Sequence, residues 1–539
     1  MRRTAWVVVC LALVLTAVGA MAQAPLAGAG ETQVFYPHGV AVSPPLRDLP
    51  PATEMLAPAG NREIPNPALP KGAMTAAPSS EEGDPAVQSS HGMYAMPGTV
   101  AEFAGIGNLA GVAPPDTEGD IGPDHYMQWV NLHLAVWSIN RGTIPYTATQ
   151  VVAPIAGSTL WSSLGGPCAA NNDGDPIVLW DRFRSRWVIS QFSLPDPYYV
   201  AIAVSQTADP TGAWYLYCYE YDATNMNDYP KFGIWPDGYY MTVNQFANMS
   251  SWAGAGVCVF EADQMITGSP TARMLKVNLG AVDLNFGGQL PAHFEGMTNP
   301  PAGSPCYIMQ VDDSSWIPPN DALRIWKATT NWSTGTLTLG VAGQPDLILP
   351  TNNWDILCSG TRNCIPQPGT TQAVDAIADR LMYRLQYRNF GSYESMVVNH
   401  TVNAGSSRAG VRWYELRKDS TQPDWYIYQQ GTFAPADTYH RWMGSAAQDH
   451  MGNLAVGYSV SDASTMYPSI YYAGRLASDP LGELTQGEAL MYLGAASQTG
   501  VNRWGDYSSM SIDPYDDCTF WYTTEYSTGS WDWETRIGA

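Results

Sequence analysis

The sequence predicts an all-β fold and, within that class, a β-propeller. Three observations carry this. Only 14% of the 539 residues are charged, aromatics reach 12%, and Gly (50) and Pro (41) are abundant. That mixture suits many short strands joined by turns. Strong helical periodicity is rare; residues 371–384 read equally as helix or strand. Seven stretches repeat one theme: an acidic or turn-forming start, a strand, an Asp/Gly/Asn turn, then an aromatic-rich strand.

Residues 1–22 read as a secretory signal peptide. Arg2 and Arg3 precede an apolar run over 5–18, and Ala20 and Ala22 place small residues before a cleavage point at Gln23. Removing them takes the formal charge from −23 to −25. Residues 23–99 read as a Pro/Ala/Gly-rich arm, largely irregular. Thirteen of the 41 prolines fall in 23–100, and after Trp6 no Trp occurs before Trp129. Such a segment buries too little apolar surface to offset chain entropy and suits a tether or pro-segment. The folded domain is then 100–539.

The repeat units cover 116–131, 175–192, 228–244, 293–312, 379–401, 440–458 and 504–525, with starts 53 to 86 residues apart. A propeller blade of four strands takes roughly 40–50 residues, more with long loops, so the spacing predicts seven blades, each unit being a blade's two inner strands. Six or eight blades and a two-domain β protein are the alternatives. Residues 99–111 are placed to supply the strand that closes the ring beside the last blade.

The segments 114–123 (PPDTEGDIGP), 228–240 (DYPKFGIWPDGYY) and 503–509 (RWGDYSS) resemble a family of secreted bacterial β-propeller-like proteins of unknown function. The resemblance runs from about Gly111 to the end and implies export and an all-β fold. It supplies no catalytic residue.

Cys10 leaves with the signal peptide, so the mature chain has seven of the eight cysteines, expected to be largely oxidised after export. Cys358 and Cys364 close a short loop and form the first expected pair. Cys218 and Cys258 each end an aromatic strand and form the second. Cys168 and Cys306 either pair or stay as buried thiols. Cys518 is the odd one, which suggests a partner beyond residue 539.

The chain carries no GxSxG elbow, HExxH, phosphate loop or dinucleotide fingerprint. Asp116, Glu118 and Asp120 alternate in a Gly-containing turn and are the candidate ligands for Ca²⁺, the one cofactor suggested; backbone capping of turns is the competing reading. Asp124, Asp181, Asp237, Asp449 and Asp513 recur in the turns between paired strands, which argues for a structural duty. Asp116, Asp175, Asp228, His293, Asp379, His440 and Asp506 lie near the unit starts, which in a propeller surround one mouth of the channel. Arg182, Lys231, Arg380, Arg441 and Arg503 are interspersed as ion-pair partners or anion binders. Catalytic candidates are His293, His440, Arg441, Asp228 and Asp379; ligand-binding candidates are Asp175, Lys231, Arg380, Arg503 and Asp506. Trp252, Trp316, Trp354 and Trp425 are candidate loop platforms for sugar rings, the other Trp being expected between blades.

A charge of −23 excludes a general nucleic-acid partner, and the mature chain lacks an apolar run long enough for a spanning helix. The sequence thus suggests a monomeric, secreted propeller, periplasmic or extracellular, that binds a glycan or protein ligand at one face of its ring. The alternative is a secreted carbohydrate-active enzyme, glycoside hydrolase or polysaccharide lyase, with acid/base residues at the channel mouth. A surface module without a ligand is the third class.

Overall fold

Bulky and polar residues alternate through each repeat unit, and each unit folds as an antiparallel hairpin with one strand facing the ring axis. The computed structural model describes residues 30–52, 62–63, 84–194, 196–358 and 361–539; the expected signal peptide lies outside them. Seven blades follow in chain order. Their innermost strands are Thr117–Ile121, Ile177–Asp181, Asn225–Trp235, Leu290–Phe294, Met382–Asn389, His440–Gln448 and Ser509–Ile512. Each belongs to one of the seven units, and the second strand of each unit pairs beside it. Residues 371–384 contain no helix; Val374–Asp375 and the start of Met382–Asn389 are strands.

The ring closes as expected. Glu102–Ala104 pairs antiparallel with Trp533–Gly538, so blade 7 takes its outer strand from the opposite end of the folded chain. Blades 4 and 5 are joined more directly, through a parallel ladder from Ala292–Phe294 to Leu385–Tyr387.

The described residues of the arm include strands that join the blades. Thr32–Phe35 adds a fifth strand to blade 3 and Gly39–Val42 a fifth to blade 2. Val87–Gln88 extends blade 5 in parallel. Leu46 is fully buried with Trp129 and Trp161. Asp84 pairs with Arg412 at 2.8 Å, both side chains fully buried, and also accepts from Thr432 Oγ1. These strands are two to four residues long and pair through backbone groups, which composition cannot report.

Aromatics fill the space between blades. Twelve tryptophans among the described residues are fully buried, each the kind of side chain whose removal costs about 3–5 kcal/mol. Three of the four expected sugar platforms are among the core residues: Trp354 is 1% exposed, Trp425 2% and Trp316 8%. Trp252 is half-buried and donates its indole N–H to Leu284 O.

One cysteine pair needs correction. Cys358 bonds Cys364 as expected, but Cys218 bonds Cys168, not Cys258. The turn of helix at Pro167–Ala170 packs on blade 2 and brings Cys168 to the outer strand carrying Cys218, with 6.0 Å between Cα atoms. Cys258 lies in the next blade as a buried thiol, Cys306 is likewise buried, and the Cys518 thiol is exposed. Closing a 50-residue separation removes about 4 kcal/mol of unfolded-state entropy in the chain-entropy account.

Two outcomes follow. A non-reduced peptide map links Cys168 to Cys218 and Cys358 to Cys364, and Cys518 alone alkylates without denaturant; a Cys218–Cys258 peptide contradicts this. Asp84→Ala leaves Arg412 buried without its carboxylate and lowers unfolding free energy in urea by about 3–5 kcal/mol. A loss below about 1 kcal/mol means the arm is not part of the cooperative fold.

Candidate functional site

The innermost strand of each blade has an edge turned to the axis, and its polar groups need partners. Side chains from adjacent blades provide them. Asp120 Oδ2 accepts from Trp180 N, joining blades 1 and 2, and Asp175 Oδ2 accepts from Tyr229 N, joining 2 and 3. His293 Nδ1 accepts from Ile234 N across 3 and 4. Gln386 Oε1 accepts from Gln448 N across 5 and 6, and Ser445 Oγ from Met510 N across 6 and 7. Ser509 Oγ donates to Gly119 O and closes 7 onto 1.

Arg384 occupies the middle of the channel. Its guanidinium lies 3.3 Å from Asp120 Oδ2 and 3.4 Å from Glu295 Oε1, and it donates to Ser509 Oγ at 3.0 Å. Residues of blades 1, 4 and 7 thus meet one cation from blade 5. Sequence reasoning passed over Arg384; its signal was the polar alternation of Arg384, Gln386 and Arg388 along one strand, which marks a channel-facing side.

At the front mouth, where the innermost strands begin, five expected acidic residues gather. Asp116 Oδ1 accepts from Asp506 N at 2.7 Å, and Asn131 bridges Asp116 Oδ2 and Asp175 N at 3.0 and 3.1 Å. Asp228 feels Asp506, Arg380, Arg503 and Lys231. Arg503 Nη2 donates to Asp506 Oδ1 at 2.5 Å, and Arg380 Nε to Asp379 Oδ1 at 2.8 Å. Asp116, Asp175 and Tyr229 all adopt left-handed backbone angles, φ 47°, 47° and 53°. For Tyr229 this is a strained position, and it coincides with a register shift between Asp228 and Lys231, the kind of bulge that re-aims side chains. Lys231 Nζ then sits 3.7 Å from the Tyr229 ring centre and 3.4 Å from that of Tyr507, while Arg380 covers Tyr229 at 4.6 Å. Neither tyrosine is among the aromatic residues singled out from the sequence, which are all tryptophans. All three segments 114–123, 228–240 and 503–509 contribute to this mouth.

Burial sets the protonation here. Desolvation, then Asp228, pushes the Asp175 carboxyl up to about 8; desolvation, then Asp506, pushes Asp228 to about 7. Desolvation brings Lys231 down to about 8 against the pull of Asp175. Asp116 and Glu118 are also raised, chiefly by burial. The mouth therefore holds carboxyl groups that keep protons near neutrality, beside fixed guanidinium charges.

The remaining expected residues go elsewhere. His293 is deeper in the channel, and burial with nearby Arg384 holds it uncharged as an acceptor. His440 Nδ1 accepts from Ala409 N, and burial lowers its pKa to about 4. Arg441 is consumed by Asp437 and Glu488 on blade 6. The expected pairing of His440 with Arg441 or of His293 with a mouth base is not assembled. Nor do Asp116, Glu118 and Asp120 converge as a Ca²⁺ site: Asp116 and Asp120 serve backbone N–H groups. Among the described residues, the one cluster of three with ligand atoms within 4.8 Å of one another is His91, Asp437 and Glu488, and Arg441 already holds both of its carboxylates. The turn aspartates mostly do cap turns: Asp181 accepts from Phe183 and Arg184 N, Asp449 from Met451 and Asn453 N, Asp513 from Tyr515 N.

The raised carboxyls fix the sign of a pH effect. Asp228 keeps a proton when folded that the unfolded chain releases near pH 4, so its contribution is present below that pH and is lost as pH rises towards 7. Asp228→Asn removes this titration. Measured by urea unfolding, wild-type stability relative to the variant falls by roughly 2–4 kcal/mol between pH 4.5 and 7.5; a difference independent of pH contradicts the assignment.

No protein-family model and no curated protein matches the chain. Of what the resemblance of the three mouth segments implies, the structure bears out the propeller architecture. Among solved structures, the chain is similar to an endo-arabinase from Bacteroides thetaiotaomicron VPI-5482 (12% identity, 55% of this chain and 92% of that one, TM-score 0.26). A protein of unknown function from Dyadobacter fermentans DSM 18053 gives 9% identity, 67% and 93% coverage and TM-score 0.34. The WD40 domain of SCAP from fission yeast gives 9%, 79% and 82%, and 0.29. The seven blades are established by the sheet topology itself, and these overlaps say nothing about ligand or reaction.

Proposed function

We propose that this is an exported propeller whose front mouth binds a neutral, hydroxyl-rich ligand, a glycan terminus. The carrying observation is the convergence of Asp116, Asp175, Asp228, Asp379 and Asp506, from the starts of five separate units, around Lys231, Arg380 and Arg503. A protonated carboxyl both donates and accepts, as a sugar hydroxyl does, and fixed guanidinium groups add donors. Asp175, Asp379 and Arg503 retain 5%, 8% and 6% exposure, so they form the rim a ligand meets first. Recognition rests on these polar groups, since three of the four expected tryptophan platforms are core residues. Export draws support from two disulfides and from the signal-peptide pattern; among the described residues no helix is long and apolar enough to cross a membrane.

A second reading is favoured by one observation: Asp175 and Asp228 lie beside Lys231 at the same mouth, burial pushing the two carboxyls up to about 8 and about 7 and the ammonium down to about 8, an arrangement suited to general acid and base work at neutral pH. In that reading the protein hydrolyses or eliminates a glycosidic bond.

A glycan array and a polysaccharide panel decide. Binding is expected on the array, weakened about tenfold or more by Asp175→Asn or Asp228→Asn through loss of one or two hydrogen bonds to the ligand. Release of reducing ends by wild type, absent in both variants, selects the enzyme. No retained glycan, or retention indifferent to both variants, rejects the site.

A further inference from the structure

The junction between blades 6 and 7 is filled differently from its neighbours. The apolar cluster between blades 5 and 6 contains Trp413, and the one between blades 7 and 1 contains Trp521 and Trp533. Between blades 6 and 7 the cluster is built around Ala455, Met491, Met510 and Tyr522, without a tryptophan. A cavity of about 250 Å³ remains there. The arm covers it: Met96 lies against Gly474, Tyr472 OH donates to Pro97 O at 2.6 Å, and Val100 N donates to Ala539 O at 2.6 Å. On its wall Tyr472, Thr519 and Phe520 stay half-buried, and Gly98 and Cys518 are exposed, so the cavity is reached from solvent.

Its chemistry selects what enters. No Asp, Glu, Lys, Arg or His side chain lines it, so a charged group would lose its water there without gaining a partner. Three hydroxyls on the wall are already used within the protein. Tyr472 OH donates to Pro97 O, Tyr522 OH to Ser508 Oγ at 3.0 Å, and Thr519 Oγ1 to Asp516 Oδ2 at 2.6 Å. What the wall offers is the thioethers of Met96, Met491 and Met510 beside the ring of Phe520. Thioether sulfur and aromatic rings both make favourable contacts with another aromatic ring. An apolar cavity of about 150 Å³ takes benzene, so this larger one has room for two fused rings.

We infer that this cavity is a second binding site, sharing no residue with the front mouth, for a neutral aromatic molecule of one or two rings. The test is titration of the full chain with toluene and naphthalene, with methylcyclohexane as the non-aromatic probe and 2-naphthoate as the charged one. The rate at which N-ethylmaleimide alkylates Cys518 is the second readout. At least one aromatic hydrocarbon binds, and it slows Cys518 alkylation about fivefold or more by closing the approach to the thiol. 2-Naphthoate binds about tenfold or more weakly, for want of a partner for its charge. Ala455→Leu fills the cavity and abolishes both effects; Met491→Phe decides the matter if that variant fails to fold. No binding of either aromatic, binding that leaves Cys518 alkylation unchanged, or binding that survives the filled cavity overturns the site. Equal affinity for methylcyclohexane overturns the aromatic assignment, and equal affinity for 2-naphthoate overturns the requirement for a neutral ligand.

Discussion

Everything in this ring depends on satisfying the inward edges of its innermost strands. An ordinary sheet would add another strand there, but a propeller has no room for one. The chain instead aims polar side chains across each junction, and a direct parallel ladder joins blades 4 and 5. Arg384 then draws Asp120, Glu295 and Ser509 onto one guanidinium. Buried ion pairs are poor sources of net stability, because desolvation offsets their attraction. Their effect here is to specify which blade faces which. Stability comes chiefly from the aromatic layers between blades and from the arm strands that extend blades 2, 3 and 5 at their outer edges.

The same constraint creates the candidate site. Arg384 and its partners occupy the channel middle, and the proposed binding groups lie at the front mouth. At the front, the first residues of the innermost strands leave regular β geometry, and their carboxyl groups crowd together in a poorly solvated space. Protons are retained there because charge on every acid at once is too costly. A structural solution to ring closure thereby produces groups with the donor and acceptor capacity that binding needs, and the staple and the site share Asp116 and Asp175.

Much of this was legible in the sequence. The recurrence of Asp116, Asp175, Asp228, Asp379 and Asp506 at unit starts located the front mouth, because a repeat maps equal positions onto one rim. The closing strand at Glu102–Ala104 and the Cys358–Cys364 loop followed from short-range logic. What stayed hidden depends on long-range pairing. Cys168 meets Cys218 because a loop folds back on its own blade, whereas strand-end position suggested Cys258. His293 and His440 share the repeat position of the acids and Arg441 follows it, yet their neighbours hold them in other duties. Thr32–Phe35 and Gly39–Val42 are invisible to composition because their contribution is made through backbone pairing.

The central claim is that Arg384 and the acids facing it act as one unit that holds the ring in register. A double-mutant cycle with Arg384→Met and Asp120→Asn, followed by urea unfolding, tests it most directly. Each single change leaves a buried charge or polar group unmatched, so the predicted interaction energy is about 2–3 kcal/mol, with the double variant less damaged than the sum of the singles. Additive losses, within about 0.5 kcal/mol, would show that the axial charges act separately and that the ring is held by its aromatic layers alone.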